Sequence, residues 1–418
     1  MLIYRSYELI QQSDVLLNDI EFLLHFLVAP FRGFGGPIGV EEIPWVPPAG
    51  RVAIRAGEEM GLKKIDYNTD TNIGRLLLAA VKNSAKIILN ADNRAIGVKY
   101  VHNNEVKRAF AQREVIISGG AVDTPKLLML SGIGPREHLE KLGIKTRVDL
   151  AGVGQNLQDH VMVLGLSWTI NPNISTSIFA RIGKSAMLDY RERRSVCALY
   201  HLNIDSPHEP HVPDTQIYMF CMLEGQLYGL ASYQPLKQSV QDYTRPIYGR
   251  DGYYMTPMLA RPKSVGSITL RSKNPFDPPI VDPNCLSHPD DVELMVKASK
   301  ASRRLGNAKI FRSVLGAEAF NEPVPDCAHF EFESDAYWRC YVHGWSTVSG
   351  HMTSTCKMAP DSDPMGVVTP RLRVRGVKNL RVIDASVMPS VPSGNTNAPT
   401  VMIAERGADL IKEDYGKI

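Results

Sequence analysis

The chain has 418 residues, 44% of them hydrophobic, with 47 lysines and arginines against 44 aspartates and glutamates. That is globular composition, long enough for two or three domains, and it excludes disorder and fibrous repeats. A net charge of +3 with no basic block excludes a nucleic-acid footprint, so small or neutral partners are expected.

In chain order, residues 1–32 are fairly apolar around Leu23, Leu24, Phe26, Leu27 and Val28, but Arg5, Glu8, Asp14, Asp19, Glu21 and His25 interrupt them. Neither a signal peptide nor a membrane span is written there, and the chain reads as soluble, with its compartment open. Residues 33–48 hold four glycines and four prolines, which predicts a structured loop or extended arm. Lys86 to Leu89, Ile96 to His102 and Glu114 to Ser118 read as three strands of a small β-meander. Thr124-Pro125 then predicts a cap and first-turn proline for a helix over Lys126 to Leu130, and Pro135 to Leu142 predicts a second helix closed by Gly143.

From about Val161 to Tyr341, β-rich pieces such as Gln216 to Cys221 and Ser267 to Leu270 alternate with helices such as Asp290 to Arg304, predicting a separate α+β layer. A strand at Leu380 to Ile383, a proline and glycine loop from Met388 to Asn397 and a helix from about Ala398 to Asp414 close the chain. Six scattered cysteines form no C-x-x-C pair, and His201, His208 and His211 lack helical i, i+4 pairing, so those histidines read as solvated loop residues and no metal site is expected.

Four strings carry the chemistry. The first is Gly119-Gly120-Ala121-Val122-Asp123-Thr124-Pro125, running on to Pro135, where a glycine pair after a strand lets backbone approach a ligand and the next helix offers unpaired N–H groups. The second runs from Gly152 to His160 (GVGQNLQDH), whose plain reading is a turn with Asp159 capping. The third is Ser349-Gly350-His351-Met352-Thr353-Ser354-Thr355-Cys356-Lys357-Met358, and the fourth runs from Leu380 through Asp384-Ala385 to Ser393-Gly394-Asn395-Thr396-Asn397 and Thr400. In this order the strings resemble the glucose-methanol-choline (GMC) flavin oxidoreductases, the first matching that family's second signature. With the arm before residue 48 and the block from Ser264 to His288, the resemblance covers nearly all the chain from Gly33 and leans toward the insect branch.

The resemblance implies an α/β plus α+β fold: an incomplete FAD-binding domain of GMC type and a substrate domain built on an antiparallel sheet. The division it suggests is a non-family segment at 1–32, FAD-binding parts at 33–160 and 346–418, and a substrate-binding domain at 161–345. It implies FAD as cofactor and hydride transfer from the CH–OH group of an alcohol, sugar or sterol-like substrate, with oxygen or a quinone-like carrier as electron acceptor. Such chemistry needs a base for the hydroxyl proton and a second polar group on the same oxygen, and His351 and Asn395 fit those roles. The family places Thr396 and Asn397 near the isoalloxazine and Asp384-Ala385 near the ribityl and pyrophosphate. Asn397 before Ala398-Pro399 also reads as an N-cap, and Asp384 as a strand-end turn former. Cys327 and Cys340, thirteen positions apart, resemble a paired-cysteine segment of secreted insect members.

Some features depart from the family. No G-x-G-x-x-G turn occurs, so the first dinucleotide-binding βαβ unit reads as absent, and a further piece reads as missing near Gly74 to Leu76. Ser354 and Ala359 stand where the family has glycine, and Met352 where it has proline. A truncated, catalytically inactive homologue with at most a binding role is therefore the alternative to an active enzyme.

Overall fold

The structure is a computed structural model that describes residues 84–102, 105–171, 198–206, 208–209, 211–220, 242–247 and 250–416. The readings for residues 1–32, 33–48 and 74–76 lie outside these residues.

Ser84–Leu89 and Ala95–His102 pair antiparallel as expected, but the third strand of the meander is Glu105–Phe110, not the stretch at 114–118. Its sequence, EVKRAF, is almost wholly exposed and carries no apolar face to announce it. Val115–Ile117 instead pairs in parallel with Leu380–Val382, far away in sequence, in the register Val115 to Leu380 and Ile117 to Val382. This parallel pair and the helix that follows it form the predicted strand, glycine pair and helix.

That helix spans Gly120–Leu130 and begins six residues earlier than expected. Thr124 is not its cap: its hydroxyl accepts from the Gly119 N–H (2.9 Å) and donates to Asp384 Oδ2 (2.6 Å). Pro125 sits inside the helix and has no N–H for the carbonyl of Ala121. The Thr355 hydroxyl donates to that carbonyl at 2.6 Å, which is how the helix tolerates its proline. Arg136–Lys141 forms the short second helix, followed by Gly143 at φ +69°.

Two buried clusters organise the molecule. One gathers Leu128, Met129, Ile133, Leu139, Val153, Leu157, Ile268, Val367, Val368, Leu380 and Val382 around the parallel pair. The three-stranded sheet of Gln155–Leu157, Gly266–Thr269 and Ile280–Asp282 lies against it through Leu157 and Ile268. The other cluster lies under an antiparallel sheet ordered Ala198–Leu202, Thr215–Phe220, Gly252–Leu259, Val161–Val163, Ser346–Val348, with Leu166–Thr169 also on Gly252–Leu259. Every residue of Gly252–Leu259 is buried, so this strand is central and covered on both faces.

Pro289–Gly306 packs on that sheet, its start fixed by Pro289 in the first turn and by His288, whose side chain accepts from the Asp290 N–H. Asp335–Trp345 stacks Tyr337, Trp338, Tyr341 and Trp345 into the same cluster. Cys327 and Cys340 are joined in a disulfide, with Cα atoms 5.8 Å apart. His201 is not a solvated loop residue: it lies on the strand Ala198–Leu202, half-buried, with Nδ1 3.2 Å from Gln216 Nε2. Burial pushes its pKa down to about 4. Among the described residues, no helix is long and apolar enough to cross a membrane.

Candidate active site

The two buried clusters meet where the strings converge. The antiparallel sheet ends at Ser346–Val348, and Ser349-Gly350-His351 leads from it across to the first cluster, with Gly350 at φ +77° making the turn. The loop after Leu380–Val382 returns on the other side and carries Asn395. Structure brings the two expected side chains together: His351 Nε2 lies 3.4 Å from Asn395 Nδ2, and both residues are half-buried.

The string from Gly152 to His160 holds both. Its plain reading as a turn with an Asp159 cap is incomplete, because Asp159 Oδ1 accepts from the His351 backbone N–H (2.8 Å) and the Ser349 hydroxyl (3.1 Å), fixing the segment that carries the imidazole. Gln158 Oε1 accepts from the Val391 N–H (3.0 Å), and Asn156 Nδ2 donates to the Pro389 carbonyl (3.1 Å), fixing the loop that carries Asn395. His160, fully buried, places Nε2 2.8 Å from the Pro392 carbonyl and 3.1 Å from that of Ala260, and Nδ1 2.9 Å from His351 Nδ1. The two rings meet edge to face.

From the antiparallel sheet Tyr218 reaches Asn395, its hydroxyl 3.0 Å from Oδ1 and 3.1 Å from Gln216 Oε1. With Oδ1 turned to the tyrosine, Nδ2 is turned to His351. Neither Tyr218 nor Ser349 was legible as a site residue. Tyr218 stands in an ordinary strand pattern, and only the register of Thr215–Phe220 against Gly252–Leu259 delivers it here.

Burial sets the charges. It lowers the pKa of His351 to about 4, and that of His160 to about 3 with help from the neighbouring His351, so both imidazoles are neutral at neutral pH. It raises Asp159 to about 6 against the opposing pull of its hydrogen bonds, and Tyr218 to about 12. A neutral imidazole beside a carboxamide can take a proton from a hydroxyl and hold the oxygen that loses it.

The other expected residues form a second group. Asp384 is buried at the end of Leu380–Val382; Oδ1 accepts from the Ser386 N–H (2.8 Å) and Oδ2 from the Gly120 N–H (2.9 Å) as well as from Thr124. It is thus the turn former expected, and it also ties this turn to the first helix. Ala385 opens the 3-10 turn Ala385–Val387, and its carbonyl accepts from Ser354 N. Ser354, where glycine was expected from the resemblance, keeps a left-handed φ of +74°. The last helix spans Asn397–Asp414, so Asn397 is its first residue and not its cap; Thr396 holds that place with no side-chain bond. The first turn carries no acidic residue, so no side chain of that turn offsets the positive end of this 18-residue helix beside Asn395.

Comparison with known proteins matches two family models described as GMC oxidoreductase, an N-terminal one over residues 71–162 and a C-terminal one over 262–404. The chain is 33% identical over 421 residues to glucose dehydrogenase [FAD, quinone] of Drosophila pseudoobscura pseudoobscura, covering 92% of this chain and 65% of that protein. It is 31% identical to alcohol dehydrogenase [acceptor] of Pseudomonas putida, covering 96% of this chain and 75% of that one. Among solved structures, a formate oxidase of Aspergillus oryzae RIB40 superimposes with a TM-score of 0.76 at 27% identity, over 92% of this chain and 74% of that chain. The chain therefore spans about two thirds of the length of the insect glucose dehydrogenase it matches.

Proposed function

The chain belongs to the GMC oxidoreductase family, and from that membership we propose that it is a FAD-dependent oxidoreductase acting on the CH–OH group of an alcohol, sugar or sterol-like substrate. The observation that carries this reading is the 3.4 Å approach of His351 Nε2 to Asn395 Nδ2 at the meeting of the two cores.

The residues present fit the flavin end of the cofactor. A Cβ built at Gly120, whose φ is +76°, would meet nothing within 4 Å, so backbone there is open to close approach. The uncapped N-terminus of Asn397–Asp414 offers N–H donors suited to negative charge on a flavin ring. Thr396 and Asn397 would line this part, and Asp384 and Ala385 would lie toward the ribityl and pyrophosphate. When bound, FAD supplies the hydride acceptor.

The chain's own residues handle the proton. His351 Nε2 takes it from the substrate hydroxyl, since an alkoxide releases hydride far more readily than an alcohol. Asn395 Nδ2, 3.4 Å from Nε2, stands on the same side to hold that oxygen, and Tyr218 keeps the amide turned that way. Oxygen or a quinone-like carrier would reoxidise the cofactor. The Cys327–Cys340 disulfide supports an oxidising compartment for the protein.

The test is a visible spectrum of the purified chain followed by turnover on alcohols and sugars with oxygen and quinone acceptors. Flavin absorption is expected, and His351→Ala should keep it while losing most turnover. A folded but colourless protein would overturn the reading and support a homologue with at most a binding role.

A further inference from the structure

His160 makes no contact that the proposed proton transfer requires directly, yet it is fully buried against the ring that performs it. Its Nε2 faces two backbone carbonyls, of Ala260 and Pro392, and a carbonyl can only accept. Nε2 therefore carries the hydrogen of this neutral ring, and Nδ1 is left as a bare acceptor pointing at His351 Nδ1, 2.9 Å away. Two acceptors facing each other would repel, so the hydrogen between the rings belongs to His351 Nδ1. The second neighbour of that atom agrees: Ser349 Oγ, 2.9 Å away, gives its own hydrogen to Asp159 Oδ1 and presents a lone pair.

The structure assigns His160 as a positioning residue that fixes the tautomer of His351, placing the hydrogen on Nδ1 and leaving Nε2 as the only bare nitrogen, aimed at Asn395. The polarity runs from the carbonyls of Ala260 and Pro392 through both rings to the Asn395 amide. A reversed His160 would put a hydrogen against His351 Nδ1 and force the hydrogen of His351 onto Nε2. That form has no lone pair for a substrate hydroxyl, and it would face a hydrogen of Asn395 Nδ2 with one of its own. The functional meaning of this device rests on the reading of His351 as the base.

The test is nitrogen NMR on the chain labelled with ¹⁵N-histidine, with the resonances of His351 and His160 identified by their loss in His351→Gln and His160→Asn. At neutral pH, His351 Nδ1 is expected as the protonated, pyrrole-type nitrogen and Nε2 as the bare, pyridine-type one. A nitrogen–nitrogen coupling across the Nδ1–H···Nδ1 bond should link the two rings. A protonated Nε2 on His351, or no coupling between the rings, would overturn the assignment. In His160→Leu the ratio of the two His351 tautomers should move roughly tenfold toward Nε2–H, the loss of one hydrogen bond. His160→Asn, whose Oδ1 can accept where Nδ1 did, should restore the parent ratio; an unchanged ratio in the Leu variant would overturn the role. These signals read protonation whether or not flavin is bound. A colourless preparation would thus sink the oxidoreductase reading alone, and a wrong tautomer would sink this one alone.

Discussion

The Thr355 hydroxyl donates to the Ala121 carbonyl at 2.6 Å, filling the place of the N–H that Pro125 lacks. Thr355 is fully buried, and no water can take over the bond. Thr355→Val should therefore cost about 1–3 kcal/mol, the penalty for a buried carbonyl left without a donor. Pro125→Ala in the same background returns a backbone N–H to that carbonyl and should recover part of the loss, a non-additivity that a urea-unfolding double-mutant cycle would measure.

The Tyr218 hydroxyl has one hydrogen, which it shares between two acceptors, Asn395 Oδ1 and Gln216 Oε1, and through it holds the Asn395 amide. Tyr218→Phe should leave the fold and any flavin absorption unchanged and lower turnover by about tenfold, the worth of one orienting hydrogen bond. Steady-state kinetics should show the effect mainly in kcat; an effect confined to KM would mean that the tyrosine contacts substrate instead.

Buried His351 and His160, with pKa values lowered from 6.5 to about 4 and about 3, bind fewer protons in the folded than in the unfolded chain. Their contribution to stability is complete above pH 6.5 and is lost as pH falls toward 4 and below. Asp159, raised from 3.8 to about 6, acts in the opposite sense, its contribution present below about 4 and lost as pH rises through 6. Two imidazoles outweigh one carboxyl, so urea midpoints should fall on acidification from pH 7 to 4, and more gently in His351→Asn. A carbon NMR titration of the Asp159 carboxyl should inflect near 6.

The disulfide closes a short loop, Cys327 to Cys340, against the aromatic face of Asp335–Trp345. Cross-linking a loop of this length is worth about 3 kcal/mol through restriction of the unfolded chain. Cys327→Ser with Cys340→Ser should lower thermal stability accordingly, and mass analysis should show two more hydrogens on the parent chain after reduction.

How far these features were legible depends on whether the signal was local. His351 and Asn395 sit inside strings that name them, and the helices at Pro289–Gly306 and Asn397–Asp414 announce themselves through the periodicity of their apolar residues. Glu105–Phe110 escaped notice because its side chains are exposed and its pairing is backbone alone. Val115–Ile117 was placed with its sequence neighbours because nothing local points to Leu380–Val382. His160 stood in a quoted string, but its partners at 260, 351 and 392 are joined to it only by folding.

The parallel pairing of Val115–Ile117 with Leu380–Val382 has a consequence for synthesis. Arg381, buried in that strand, bonds both Glu114 and Asp414, and so binds the early strand to the very end of the last helix. The first core therefore cannot close until the ribosome has delivered the chain through Asp414. Meanwhile Val115–Ile117 waits with an unpaired edge, a state prone to aggregation. Collapse of the intervening antiparallel sheet around Gly252–Leu259 shortens the gap that the late strand must bridge, so that lobe acts as an internal staple during biogenesis.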